Sequence, residues 1–245
     1  MKDNFSKHSD TYANFRPTYP YKLGKWLASQ CSATNTVWDC ATGNGQMATV
    51  LADHFNKVIA TDLSANQIAH ATPAANIEYR CEPAHQSSLS DHSVDAVVIA
   101  QAIHWFDFEA FYREVRRVVR PGGIIAAVGY GLLEPAHPAV LNAMLHFYSL
   151  TVGPYWDPER HYIDEEYTTI PFPFEEIPFE EQYMTFHWDK PMLLGFLRSW
   201  SAVQHYINKN GNDPVDLFEQ ELDMVWPDTE TVPMIFKIIG RIGRV

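Results

Sequence analysis

The sequence predicts an α/β fold: a seven-stranded, mostly parallel, doubly wound sheet with a helical insertion near the C-terminus. Three observations carry this. Short apolar runs alternate with amphipathic stretches from residue 37 to about 130, the pattern of strand–crossover–strand units whose right-handed connections make a parallel sheet. A glycine pair, Gly43 and Gly45, follows the first run, and an acid, Asp62, closes the second. Beyond residue 130 the alternation gives way to aromatic-rich helical stretches and returns only at the end of the chain.

Taken in order, VWDCA (37–41) is the first strand, followed by a short helix through Met47, Val50 and Leu51. KVIATD (57–62) is the second strand, and Ser64 with Gln67 forms the S-x-x-Q start signal of a helix. NIEYRC (76–81) and DAVVIAQA (95–102) are strands three and four. In DFEAFYREVRRVVR (107–120), Phe108, Phe111, Val115 and Val118 fall on one helical face. Pro121-Gly122-Gly123 should stop that helix, leaving GIIAAVGY (123–130) as the fifth strand. Residues 135–150 read as helical, PFPFEEIPFEE (171–181) as an acidic connector and YMTFHW (183–188) as a strand. Residues 191–226 read as largely helical, and VPMIFKIIGRIG (232–243) as the last strand with a terminal turn.

The expectation is one domain over 1–245, since a chain of this length buries one sizeable core. Within it, 1–36 is a lid segment and first helix, 37–130 the ligand-binding core, and 131–245 the insertion plus the last two strands. A net charge of −12 argues against a nucleic-acid partner, which needs a basic face. Cys31, Cys40 and Cys81 are odd in number and lack C-x-x-C spacing, so they read as reduced thiols. No basic-then-apolar leader and no apolar run near the roughly 20 residues that span a bilayer are visible, so a cytoplasmic protein without a membrane partner is expected. The histidines are dispersed without H-E-x-x-H spacing, and no metal site is expected.

In a parallel sheet, ligands sit beyond the carboxyl ends of strands where the strand order reverses. Gly43 and Gly45 stand at that point, where missing side chains permit a sharp bend and close approach. Asp62 can accept two hydrogen bonds from a ribose diol, so a nucleoside-containing ligand follows. GNGQMA (43–48) satisfies the dinucleotide fingerprint G-x-G-x-x-A. Asp39, in the first strand, speaks for a cationic or amino-bearing ligand instead of a pyrophosphate, although it could equally hydrogen-bond the loop backbone.

Several ordered motifs narrow this. WDCATGNGQ, TDLS, PAHQSSLSDHSVDAVVIAQAIHWFD and FYREVRRVVRPGG, together with YANFRPTYP and WSAVQHYINKNGNDP, resemble the class I S-adenosylmethionine-dependent methyltransferases. The similarity is to the small-molecule, methyltransferase type 11 branch that includes trans-aconitate methyltransferase-like proteins, and it covers nearly the whole chain. Two residues depart from the family pattern: Ala41 stands where a glycine is usual, and His85 where an acid commonly follows the alanine.

The resemblance implies a Rossmann-like sheet and S-adenosyl-L-methionine as cofactor. Asp39, Ala41, Gly43 and Gly45 would lie along its methionine part. Asp62 would hold the ribose hydroxyls, Leu63 would pack on the adenine, Ala84 and His85 would border it, and Gln101 and Ala102 would floor the sulfonium. Arg16, with Tyr12 and Tyr19 beside it, either anchors a loop or offers a planar fork to a carboxylate of cofactor or substrate. Methyl transfer from a sulfonium is an in-line displacement; a carboxylate acceptor needs no base, whereas a hydroxyl does, and His104 is then the candidate. Trp105, Tyr155 and Trp156 are candidate walls for the acceptor. The stripe Arg113, Arg116, Arg117 and Arg120 reads as a solvated face with local ion pairs. The expected function is a methyltransferase acting on a small molecule, with a carboxylic acid as the acceptor. The alternatives are an NAD-dependent oxidoreductase, on the strength of G-x-G-x-x-A, and a non-catalytic S-adenosylmethionine-binding protein, on the strength of Ala41 and His85.

Overall fold

The computed structural model describes residues 15–245; Tyr12 lies outside the described residues. Strand β1 (Thr36–Cys40) pairs in parallel with β2 (Lys57–Asp62) on one side and β4 (Val94–Ala100) on the other. Strand β3 (Ile77–Cys81) extends the sheet beyond β2, and β5 (Val119–Tyr130) beyond β4. The resulting order β3-β2-β1-β4-β5 places the reversal between β1 and β4. Both faces are covered, so successive residues feed two cores: Val37 joins one, Trp38 and Cys40 the other. That double burial is why β1 and β4 read as continuous apolar runs.

The final strand, β9 (Val232–Arg244), runs antiparallel to β5. It also pairs with β6 (Glu134–Pro135), β7 (Glu175–Ile177) and β8 (Gln182–Trp188). The sheet therefore has nine strands, where the sequence predicts seven. The seven expected strands are all present. The extra two span two and three residues, too short to display an alternation, and β7 lies inside the stretch expected as a connector.

Helices α1 (Tyr21–Ser29), α2 (Gln46–Ala52), α3 (Ala65–Ala69) and α4 (Phe108–Val118) flank this sheet. Ser64 Oγ caps α3 by accepting from Gln67 N at 3.3 Å, as its S-x-x-Q spacing predicts. Asp107 Oδ1 caps α4 through Ala110 N at 3.0 Å. Phe111, Val115 and Val118 on α4 are fully buried, each contributing about 1.5–3 kcal/mol of apolar burial. β5 starts at Val119, before the Pro-Gly-Gly triplet, which is absorbed as an irregularity between the pairs Val94–Val119 and Ala96–Ile124.

The insertion comprises α5 (Pro138–His146), which continues into a π-turn over Phe147–Thr151, and α6 (His161–Asp164), all ahead of β8. Three more helices, α7 (Lys190–Arg198), α8 (Ser201–Asn210) and α9 (Pro214–Val225), separate β8 from β9. Phe147, Trp200 and Phe218 form its buried hub, with the Phe147 and Phe218 rings 4.6 Å apart. Among the described residues no helix is long and apolar enough to cross a membrane.

Candidate functional site

The loop after β1 is the sharpest bend in the site. Ala41, Gly43 and Gly45 all take left-handed backbone conformations, at φ 58°, 57° and 85°. The bend is tied down by Thr42 N donating to Thr61 O at 2.9 Å and Gly45 N donating to Thr42 O at 3.0 Å. Gly43 faces open space: a Cβ there would find only Gln67 Oε1, 4.0 Å away. Gly45 does not line the cleft, which corrects the expectation placing it along the ligand. A Cβ at Gly45 would sit 2.2 Å from the Tyr79 hydroxyl, so its missing side chain makes room for a tyrosine from β3, whose hydroxyl donates to Thr72 O at 2.8 Å.

Ala41 holds a conformation that costs a side-chain-bearing residue about 1–2 kcal/mol. This accounts for the family's usual glycine. Ala41→Gly is expected to stabilise the protein by about 1 kcal/mol, the relief of strain exceeding glycine's extra chain entropy. A thermal melt should show the midpoint rising by about 2–4 °C; an unchanged or lower midpoint would show that the Ala41 methyl contributes packing of equal worth.

Asp62 closes β2 and is 8% exposed. Its Oδ2 accepts from Gly43 N at 2.9 Å and its Oδ1 from Ser64 N at 2.8 Å. The carboxylate thereby ties the two loops together where they border the cleft. Of the two readings open for Asp39, the structure shows the one that ties the loop, here through the Thr42 side chain. Asp39 is fully buried behind the bend and takes the Thr42 hydroxyl on Oδ2, so it braces the loop from beneath without forming cleft wall. Burial, opposed by the Thr42 bond and aided by the Asp62 charge, pushes its carboxyl up to about 7.

Three recesses adjoin at these residues, two of them each sharing lining with the first. The first cleft is walled by Gly43, Asp62, Leu63, Gln101, Ala102 and Trp105, with Ala41, Met47 and Tyr130 completing it. On the far side of Leu63 lies a slot bounded by Ala84, His85, Phe106, Asp107 and Ala110. Leu63 borders both and is 45% exposed. In the other direction Arg16, Gln101, Trp105 and Tyr130 form a wall shared with a third chamber, which reaches His104, Trp156, Asp157, Arg160 and Trp200. Met47, Tyr130, Asp107, Ala110 and Arg160 carry no sequence signal that marks them for these walls; Phe106, an aromatic just past β4 at the reversal point, suits packing and ligand wall about equally by sequence, and it borders the slot.

The loop holding Ala84 and His85 is fastened from α4. Glu114 Oε1 accepts from Ser87 N and Ser87 Oγ at 2.7 and 2.6 Å. Arg117 bonds Glu114, Asp91 and the Leu89 carbonyl. Arg116 donates to Pro173 O and covers the Phe174 ring at 4.9 Å, while Arg120 pairs with the buried Asp95. The basic stripe is therefore largely a set of ties; Arg113, 66% exposed and paired only with Glu109, keeps the solvated character expected of all four.

Arg16 donates from Nη1 to Tyr130 Oη at 3.3 Å and from Nη2 to Ser199 O at 3.0 Å, and lies over the Phe196 ring. It thus reaches the shared wall with its fork already engaged. Gln101, itself at φ 54°, donates from Nε2 to Tyr130 O at 3.0 Å. His104 lies in a short turn (Ile103–Trp105), 5% exposed, with Nδ1 3.4 Å from the Tyr167 hydroxyl. Burial, assisted by the Arg160 charge, pushes its pKa down to about 3, so the ring is neutral at pH 7 and resists taking a proton. That is the behaviour of a structural histidine, the alternative to a base for a hydroxyl acceptor. Trp105 and Trp156 line the chamber. Tyr155 does not, contrary to expectation: its ring packs on Tyr206 at 4.9 Å and its hydroxyl accepts from Asn210 Nδ2.

With this geometry established, comparisons with known proteins are informative. Residues 38–127 match the methyltransferase domain family. The chain is similar to a Dictyostelium discoideum protein named "Putative methyltransferase", 32% identical over 231 residues, covering 93% of this chain and 88% of that one. It is also similar to a yeast (Saccharomyces cerevisiae) protein named "Probable S-adenosylmethionine-dependent methyltransferase", at 30% identity over 51% of this chain and 46% of the relative. Among solved structures, a "Putative Type II Methyltransferase" from Anaeromyxobacter dehalogenans superposes with a TM-score of 0.88 at 36% identity, covering 94% of this chain and 98% of that one.

Proposed function

The chain belongs to the class I S-adenosylmethionine-dependent methyltransferases, and on that footing we propose that it methylates a small carboxylic acid held in the chamber between the end of β4 and the insertion. S-adenosyl-L-methionine is the cofactor, and the residues present suit it. Gly43 leaves a cradle that a side chain would fill, Asp62 offers a fixed carboxylate, and the slot past Leu63 is flat and largely apolar. When bound, the cofactor supplies an electrophilic methyl group on a sulfonium.

The observation that carries the reading is the continuity of the three recesses. Phe106, Ala84 and His85 would border the adenine, Leu63 and Asp62 would span the adenosyl part, and the shared wall of Gln101, Trp105 and Tyr130 would stand where donor meets acceptor. The chamber's side chains would orient the acceptor and exclude water. Two guanidinium groups, Arg16 and Arg160, and one carboxylate, Asp157, line the chamber, and Asp164 pairs with Arg160. A neutral, proton-averse His104 favours a nucleophile already ionised at pH 7, and a carboxylate is one.

Transfer of labelled methyl groups should be screened against acids, phenols and amines. Label is expected in base-labile esters of acids; label confined to phenols or amines overturns the acceptor class. His104→Gln is expected to retain turnover within a few-fold on an acid. A loss of several orders of magnitude with an unchanged melting midpoint would restore His104 as a base. Titration calorimetry should show binding of S-adenosylhomocysteine and none of NAD.

A further inference from the structure

Tyr167 is delivered to the interior by strained backbone. It follows α6, and both it and Glu166 take left-handed conformations, at φ 61° and 54°. Side-chain-bearing residues hold such backbone only where the surroundings enforce it. Here Lys237 of β9 pairs with Glu166 at 2.6 Å, and Tyr167 N donates to Tyr162 O at 2.7 Å. The phenol so placed is fully buried, and its tip has a seat. A Cβ on Gly129 of β5 would stand 2.9 Å from the Tyr167 hydroxyl. That hydroxyl lies 3.4 Å from His104 Nδ1 and bonds no other described residue.

Counting protons then fixes the histidine. Burial raises the pKa of the phenol, so its O–H is intact at pH 7. Gln101 Oε1, which a Cβ on Gly129 would also approach, at 3.2 Å, takes no hydrogen bond from the described residues. The Tyr167 O–H is therefore left with Nδ1 as its acceptor. A neutral ring that accepts at Nδ1 carries its proton on Nε2. Among the described residues Nε2 has no hydrogen-bond partner, and His104 borders the chamber without bordering the cofactor cleft.

We propose that Tyr167 is a positioning residue: it holds the His104 ring so that Nε2–H donates into the chamber, to one oxygen of the acceptor's carboxylate. This rests on the methyl-transfer reading above and gives His104 a use that a neutral ring can serve. The N–H orients the acid, the other oxygen stays free, and no proton is moved.

Two measurements on the full chain test this. In protein with isotope-labelled histidine, proton–nitrogen correlations report which ring nitrogen is protonated, and the His104 ring is the one missing from His104→Gln. The Nε2–H form is expected, with the Nδ1 resonance in Tyr167→Phe moved toward that of a nitrogen without a hydrogen bond. A wild-type ring protonated on Nδ1, or an Nδ1 resonance unmoved in Tyr167→Phe, overturns the proposal. The second measurement is titration of benzoate, followed by tryptophan fluorescence with S-adenosylhomocysteine present. His104→Phe should weaken benzoate about 10-fold or more, the lower end for a bond to a charged group. His104→Gln, whose amide carries an N–H near the place of Nε2, should stay within a few-fold of wild type. Tyr167→Phe should weaken benzoate about 3-fold with His104 present and leave it unchanged in the His104→Gln background. Equal losses in both backgrounds would mark a merely structural tyrosine and overturn the proposal. If Tyr167→Phe fails to fold, the wild-type tautomer and the contrast between His104→Phe and His104→Gln carry the test. Acids methylated by a protein whose benzoate affinity ignores both residues would sink the role of Tyr167 alone. Affinity that follows both residues without methylation of any acid would instead sink the carboxylate-acceptor reading and leave the orientation of His104 standing.

Discussion

Asp62→Ala is expected to weaken S-adenosylhomocysteine binding about 100-fold or more, roughly 3 kcal/mol, while lowering the melting midpoint by only a few degrees. The two effects separate for a physical reason. In the protein Asp62 does two jobs, accepting from Gly43 N and Ser64 N and placing a carboxylate on the cleft wall. The freed N–H groups belong to residues that line the open cleft, so water can reach them and the cost to stability is limited. A ligand gains no such substitute: it loses a charged acceptor and a loop pair held at fixed separation. Asp62→Asn should be nearly as damaging, because an amide oxygen can satisfy one of the two N–H groups while its NH2 confronts the other. Calorimetric titration measures this directly. An affinity within a few-fold of wild type for both variants would remove Asp62 from the binding site.

The parts of this protein that were legible in its sequence share a cause, as the sequence-breaking parts do. β1, β2, β4 and β5 announce themselves because parallel strands covered on both faces require largely apolar runs. The face of α4 is visible because Phe111, Val115 and Val118 must all turn inward. β6 and β7 are invisible because two or three residues cannot establish a period, and they form only because β9 offers long edges to pair with. On the cleft wall, Asp62 was legible from its place at a strand end, whereas Leu63, Gln101 and Ala102 came through the family resemblance; the fold sets all four around the cleft. A G-x-G spacing says where the chain must bend. It does not say which glycine serves the ligand: Gly43 opens on the cleft while Gly45 accommodates Tyr79. Likewise Tyr155 and Trp156 are neighbours in an irregular turn, and only the fold decides that the tryptophan enters the chamber.

Asp39 gives the second large effect, in stability against pH. The carboxyl is fully buried, with the Thr42 hydroxyl on Oδ2 and the Ala48 backbone N–H opposing the effect of burial only in part. Burial first, and then the charge of Asp62, raise its pKa from 3.8 to about 7. In the unfolded chain the group ionises near 3.8, whereas in the folded protein it keeps its proton to about pH 7. Between those values the folded state binds more protons, so its contribution to stability is complete below about pH 4 and is lost as pH rises to about 7, by about 4 kcal/mol in all. Asp39→Asn keeps the shape and an acceptor for the Thr42 hydroxyl but has no charge to bury. Urea denaturation at pH 5, 6, 7 and 8 is expected to show the wild type losing stability relative to this variant at each step up to pH 7 and holding a constant gap beyond it. Because every other titrating group is common to both proteins, the difference curve isolates position 39. Parallel curves across that range would mean that the carboxylate is solvated where the fold shows it enclosed, and would undo the account of Asp39 as the neutral brace beneath the bend.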